Sequence, residues 1–347
     1  MKKYFSSVLC SKGYCCAYNT IYKKDPSARV YIATGGDDFE RSLFFARLVK
    51  NLRGYSISLF NPFYDESADG IYIENLNTYI LSDGGYNRIQ PILPEIWEKY
   101  YSVVGEKKYP LDLRREILNL KAKENNYYKK TCEILKKASH IREKIHSEVS
   151  SYLNDDKLIN FINRFCSREL REAKSKGNSK VRLLSSVTPL GIHTHYDTLF
   201  ENTEKTIDFN DKSGFAGSVF LGVLKDYALR EKIPIIMSPA YFSGDIPQFL
   251  IFPTVALSVV VTDENHELPF EPTEKVTAAR FLTDENILSS EKIQTLISVE
   301  NKLFENAVLS VYEGRDCRFK YNDLVKGYSN ADTAKENADK FIEKILN

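Results

Sequence analysis

The sequence predicts an α/β fold built twice: two tandem cores of strands alternating with a helix, each followed by a helical hairpin. Three observations carry this. The chain repeats itself in order at an offset of ~177 residues. Each copy opens with apolar strands around one amphipathic helix, the pattern of a parallel sheet with crossover helices. Each copy closes with a stretch rich in Lys, Glu and Leu whose apolar residues recur at helical spacing.

The repeat begins where Ser6-Ser7-Val8 and Gly13-Tyr14-Cys15-Cys16 answer Ser185-Ser186-Val187 and Gly191-Ile192-His193-Thr194. The pair Tyr18-Asn19 answers Tyr196-Asp197. The expected elements of the first copy are a strand over Val30–Thr34, a helix over Ser42–Leu52, and strands over Ser56–Phe60 and Ile71–Ser82. The second copy has Thr206–Phe209, a helix over Ser218–Leu229, Pro234–Ser238 and Phe249–Thr262. Val255 to Val261 is a near-continuous apolar run, as in a strand covered on both faces. Asn61-Pro62 pairs with Ser238-Pro239, and Ile80–Asp83 with Val260–Asp263. Helical tails follow from Leu111 to about Arg171 and from about Ser290 to Leu346, with Glu124-Asn125 answering Glu300-Asn301. The polar stretch Ala173–Lys180 is the natural boundary. The expected halves are 1–175, with its core over about 1–105 and its hairpin over about 110–175, and 181–347, divided near 285.

The 48 basic and 47 acidic side chains nearly cancel, which gives no global pull toward nucleic acid or an anionic membrane. High aromatic content comes without the basic interleaving of a single-strand nucleic-acid platform. No apolar run reaches the length of a membrane span, and the chain reads as cytoplasmic. Six scattered cysteines are not the dense framework of a secreted scaffold, so reduced thiols are expected. Cys10, Cys15 and Cys16 lack zinc-site spacing. His193 and His195 would share a strand face, but the first copy has Cys15 and Ala17 there, which favours a repeated structural element over a metal site. His140 and His146 fall on a charged helix, and Lys121–Lys144 reads as a solvated mixed-charge face.

The chemistry centres on Ile32-Ala33-Thr34-Gly35-Gly36-Asp37-Asp38-Phe39-Glu40-Arg41-Ser42. A strand running through Gly-Gly and a short loop into a helix is the layout of the phosphate-binding P-loop, G-x-x-x-x-G-K-[ST]. Gly35 takes the first glycine and Ser42 the hydroxyl, while Glu40 replaces the last glycine and Arg41 the lysine. The aligned loop Asp211-Lys212-Ser213-Gly214-Phe215-Ala216-Gly217-Ser218 keeps Gly214 and Ser218 and has Gly217 in the lysine position. Asp83 and Asp263 close apolar strands, where a Mg²⁺-organising Asp or an ordinary turn would stand. The predicted architecture is thus two tandem P-loop NTPase-like parallel-sheet cores.

With these loops in tandem, the chain resembles a group of tandem P-loop ATPase-like proteins of anaerobic bacteria and archaea, themselves uncharacterised. In that group each half opens with an S-A-[IV]-T-P-x-G-type segment and a Y-x-D or F-D pair. Here these stand as Ser185-Ser186-Val187-Thr188-Pro189-Leu190-Gly191 with Tyr196-Asp197, and in the first half as Cys10-Ser11-Lys12-Gly13 with Tyr18-Asn19. The resemblance spans the whole chain, but the group's complete G-x-P-G-T-G-K-S-T loop is absent from both halves.

Three functions follow as expectations. The first is a degenerate P-loop protein that acts through binding, because neither loop has the lysine and both carry carboxylates. The second is an ATPase whose ATP and Mg²⁺ would depend on Gly35, Gly36, Arg41, Ser42 and Asp83, with Gly214, Gly217 and Ser218 as the degenerate second set. The metal in that reading sits on Ser42 and Asp83. The third is an interaction protein that uses the helical hairpins for a protein partner or for self-association.

Overall fold

Alternation of apolar side chains along short strands organises the molecule. In the computed structural model, Val30 and Ile32 point to one face of their sheet and Tyr31 and Ala33 to the other, all buried. The structure describes residues 2–16, 27–52, 56–60, 68–83, 98–105, 107–171, 173, 179–201, 203–243, 246–263 and 266–346. The pairs Tyr18-Asn19 and Asn61-Pro62, and most of the boundary stretch, lie outside these residues.

The first half contains β1 (Lys3–Phe5), the hairpin β2 (Ser7–Cys10) and β3 (Gly13–Cys16), β4 (Arg29–Thr34), α1 (Asp38–Asn51), β5 (Ser56–Phe60), β6 (Ala68–Ile73), β7 (Thr78–Ser82) and β8 (Glu98–Ser102). Two helices end it, α2 (Leu111–Ser150) and α3 (Asp155–Glu169). The second half contains β9 (Lys180–Val181), the hairpin β10 (Ser185–Thr188) and β11 (Gly191–Thr194), α4 (Asp197–Phe200), β12 (Lys205–Asn210), α5 (Phe215–Arg230), β13 (Ile236–Pro239), β14 (Pro247–Phe252), β15 (Leu257–Thr262) and β16 (Glu274–Thr277). It ends in α6 (Glu291–Lys326) and α7 (Ala331–Leu346).

The fold is mixed α/β with two six-stranded sheets of one topology. Their orders, β1-β5-β6-β7-β4-β8 and β9-β13-β14-β15-β12-β16, match strand for strand. Strand β4 lies between β7 and β8, all three parallel, as β12 lies between β15 and β16. In each sheet one strand, β6 or β14, runs antiparallel to both neighbours. The sheets are therefore not purely parallel, and the expected long strands over 71–82 and 249–262 are each two strands. A 3₁₀ turn and a residue in the left-handed region, Asn77 (φ 45°) or Ala256 (φ 48°), reverse the chain inside each. The hairpin registers also differ from the expected alignment by one residue, because Ser7 faces Cys16 as Ser185 faces Thr194.

The two sheets pack one face against each other, through Val30, Ile32, Tyr72 and Tyr79 with Phe249, Ile251 and Val260. Their outer faces are covered by helices, and the last helix of each half covers the other half's sheet. Leu158, Phe161 and Phe165 of α3 pack with Phe209 of β12 and Phe220 of α5. Ala334, Ala338 and Phe341 of α7 pack with Phe44, Phe45 and Leu48 of α1. The long helices α2 and α6 pack on each other through Tyr128, Leu135, Ala138, Phe304, Ala307 and Val311. The hairpins expected beside their own cores are thus opened and exchanged. Among the described residues, no helix is long and apolar enough to cross a membrane.

Candidate functional site

Three residues, Gly35, Gly36 and Asp37, join β4 to α1. Both glycines are left-handed (φ 72° and 65°), and a Cβ would stand 2.6 Å from the Val104 carbonyl oxygen at Gly35 and 2.8 Å from Glu40 Oε2 at Gly36. The helix starts at Asp38, earlier than expected, because Asp37 and Glu40 form a capping box. The Glu40 N–H donates to Asp37 Oδ1 and the Asp37 N–H donates to Glu40 Oε2, each at 2.9 Å. Asp37 Oδ2 accepts from Ser329 Oγ at 2.8 Å, Lys107 Nζ at 3.1 Å and the Tyr109 hydroxyl at 3.2 Å. Burial, and then the charge of Asp37, push the Tyr109 phenol upward. Glu40 is fully buried and pairs with Lys107 and the Asn330 N–H. The positive pole of α1, a ready anion site, already holds an internal carboxylate.

Arg41 turns back onto the same loop. Arg41 Nη1 donates to the carbonyl oxygens of Gly35 (3.1 Å) and Gly36 (2.9 Å), and its other nitrogen pairs with Asp38. Asp38 also meets Arg318 and, at 3.2 Å, Lys121. Burial opposes its charge, but Arg318, Arg41 and Lys121 outweigh it and hold the carboxyl well below the usual range. Ser42 Oγ donates to the Asp38 carbonyl oxygen at 2.8 Å. The structure thus bonds Arg41 to Gly35 and Gly36, while Ser42 turns its hydroxyl back onto its own helix. A phosphate cradle would present N–H groups; here two loop carbonyls face the cation. Asp83 follows β7 beside this loop, half-buried, its N–H donating to the Ala33 carbonyl oxygen at 3.0 Å.

The second loop fills its own pole differently. Asp211 Oδ1 accepts from the Ser213 N–H (3.0 Å) and hydroxyl (2.7 Å), and Oδ2 accepts from the Gly217 N–H at 2.8 Å. Gly217 is required by packing, since a Cβ there would stand 2.6 Å from Val261 Cγ1 on β15. Ser218 Oγ donates to the Phe215 carbonyl oxygen at 2.7 Å. Gly214 has the Arg142 guanidinium where a Cβ would project.

Two arginines absent from the expected site complete both loops. Arg142 of α2 bonds Glu300 of α6 through two nitrogens (2.7 and 2.8 Å) and reaches Asp263 at 3.2 Å. Arg318 of α6 bonds Glu124 of α2 at 2.7 Å and reaches Asp38. All four of these helix residues are buried. They recur at one spacing, so Glu124 and Arg142 correspond to Glu300 and Arg318 in the repeat. Each half lends its arginine to the other half's loop. The signal lay in the repeated Glu124 and Glu300, whose stretch reads instead as a solvated face; Glu124, Thr131 and Arg142 within it are buried.

The histidines do other work. The His193 and His195 rings lie 5.0 Å apart, and His195 leans on Phe5 at 4.4 Å. Burial, then the charges of His193 and Lys3, push His195 down to about 3. Tyr196 donates to the Glu267 carbonyl oxygen (3.0 Å), and its hydroxyl bonds His266 Nε2 at 3.0 Å. Among the described residues, no group of three His, Cys, Asp or Glu could hold a metal ion.

Beside the first loop opens a cleft of about 620 Å³, bounded by Gly35, Gly36, Lys107, Tyr109, Arg114 and Leu118 among others. Against the second loop lies a pocket of about 40 Å³, bounded by Arg142, His146 and Gln248 among others. Against models of protein families, curated proteins and solved structures, the chain has no match. What the site can do therefore rests on its own geometry.

Proposed function

We propose that the chain is a P-loop NTPase-like protein with impaired or lost nucleotide hydrolysis that acts through binding. One observation carries this: at both strand-to-helix loops a carboxylate of the protein, Asp37 or Asp211, takes the N–H groups that a phosphate would need. A polyphosphate entering the first loop would also meet Asp37, Asp38 and Glu40. Each like-charge contact near 4 Å costs about 1–4 kcal/mol, depending on screening. Arg41 does not offset this, because its guanidinium is already divided between Asp38 and two carbonyl oxygens. The cleft beside the first loop falls within the size range of small-molecule sites, and it is the binding surface in this reading.

Calorimetric titration of the purified chain with ATP–Mg²⁺ and GTP–Mg²⁺ tests the proposal. The expected result is no binding tighter than about millimolar, a threshold of roughly −4 kcal/mol. Micromolar binding that Arg41→Ala abolishes would overturn it, since it would return the first loop to phosphate recognition.

A further inference from the structure

The β2–β3 hairpin carries three of the six cysteines. Its register opposes Cys10 to Gly13 and Val8 to Cys15. Cys10 and Cys15 are therefore diagonal neighbours on one face, within side-chain reach, and Cys16 alternates to the other. The Cys10 and Cys15 Sγ atoms lie 2.6 Å apart, an approach closer than two non-bonded sulfurs normally make. The equivalent positions of the β10–β11 hairpin hold Thr188 and His193, so the thiol pair belongs to the first copy and not to the repeated element.

We propose that Cys10 and Cys15 are a site of reversible disulfide formation that closes the β2–β3 hairpin when a small-molecule disulfide oxidises it. Cys15 is half-buried and Cys10 fully buried, so the exposed partner reacts first. The Cys15 thiolate attacks one sulfur of the oxidant, forming a mixed disulfide and releasing one thiolate. The Cys10 sulfur then displaces the second thiolate from Cys15. Two protein thiols are oxidised, one disulfide is reduced to two thiols, and the two protons leave with them. The hydrogen bond to Cys15, then burial, push the Cys10 thiol upward, so it keeps its proton until the second step, in which the proton passes to the departing thiolate. Cys132 also lies close to Cys10, but it stands on α2, whereas Cys15 is placed against Cys10 by the hairpin register with its sulfur at 2.6 Å. Closure would fix a hairpin that joins the halves: Leu9 packs in one cluster with Val187 and Phe304, and the Ser11 N–H donates to the Phe242 carbonyl oxygen at 2.8 Å.

The test treats the full-length chain with oxidised glutathione, alkylates the remaining thiols and reads the mass. The expected result is four alkylated cysteines in place of six, with all six restored by dithiothreitol. Tryptic cleavage after Lys12 should leave two peptides joined only through Cys10 and Cys15. Cys15→Ser, at the more exposed position, should abolish the link, and Cys10→Ser should trap glutathione on Cys15. Six alkylated cysteines after oxidation, or a peptide joining Cys10 to Cys132, would overturn the proposal.

Discussion

His266 ties part of the second half's stability to pH. It is buried, its Nε2 bonds Thr194 Oγ1 (2.8 Å) and the Tyr196 hydroxyl (3.0 Å), and its ring meets Phe249 edge-on. Burial pushes the imidazole down to about 4, although the Asp263 charge pulls the other way. An unfolded histidine titrates near 6.5, so between these values the unfolded chain binds a proton that the folded chain refuses. Stability therefore falls as pH drops from about 6.5 toward 4 and levels below that. The loss assigned to His266 is at most about 3.5 kcal/mol, at roughly 1.4 kcal/mol for each tenfold difference in proton affinity between the folded and unfolded chain. Urea unfolding of the wild type and His266→Gln at pH 7 and pH 4 measures it. The wild type's advantage over the variant should shrink by up to that amount, and an advantage independent of pH would refute the assignment. His266 has no motif around it, and only the fold brings Thr194 and Tyr196 to its ring. Asp37, by contrast, is visible in the sequence as a carboxylate in the loop. Its inward turn was not, because that depends on Lys107, Tyr109 and Ser329 arriving from distant segments.

At the scale of elements, α2 and α6 run antiparallel and are tied twice, by Glu124–Arg318 near one end of the contact and Arg142–Glu300 near the other. Removing one partner of a buried pair typically costs about 3–5 kcal/mol, and the loss here falls toward the lower end because Asp38 still faces Arg318 and Asp263 still faces Arg142. Glu124→Ala and Glu300→Ala should each lose that order of stability, and by similar amounts, since the two ties are copies of one arrangement. Urea midpoints decide it. A loss under about 1 kcal/mol in either would put that pair with exposed ion pairs, which contribute little. The existence of both long helices was legible from their apolar period. Their choice of each other was not, because a Glu or Arg on a Lys-rich stretch looks the same whether it meets water or an opposite charge. The antiparallel strands β6 and β14 escaped for a related reason. Glu74, Asn75 and Asn77 in one stretch and Pro253 in the other are poor strand formers, but the apolar runs on either side read through them, and the reversals rest on left-handed Asn77 and Ala256, neither of them glycine.

The whole molecule is a duplication in which each copy is covered by the other's last helix. The matching strand orders were anticipated by the repeat, but the exchange of the last helices was not, since a period of about 177 residues carries no information on which copy a helix covers. The exchange has a physical consequence. A fragment ending near residue 178 keeps the first sheet but loses Ala334, Ala338 and Phe341 from the face formed by Phe44, Phe45 and Leu48. A fragment starting near 179 loses Phe161 and Phe165 from the face of Phe209 and Phe220. Each also exposes the sheet face and the long-helix stripe that the other half buries. Full burial of one such aromatic or aliphatic side chain is worth about 1.5–3 kcal/mol. Several exposed together exceed the roughly 5–15 kcal/mol that holds a typical domain folded. Expressed apart, each half should therefore bind a hydrophobic dye and unfold without a cooperative transition. Mixed in equal amounts, the halves should form a one-to-one complex that unfolds cooperatively, because every covering helix is restored without a covalent link. Sedimentation and urea unfolding of each fragment and of the mixture separate the outcomes. A half that unfolds cooperatively as a monomer would mean that the exchanged helices are accessories and that each sheet, with its own first helix, is a complete core.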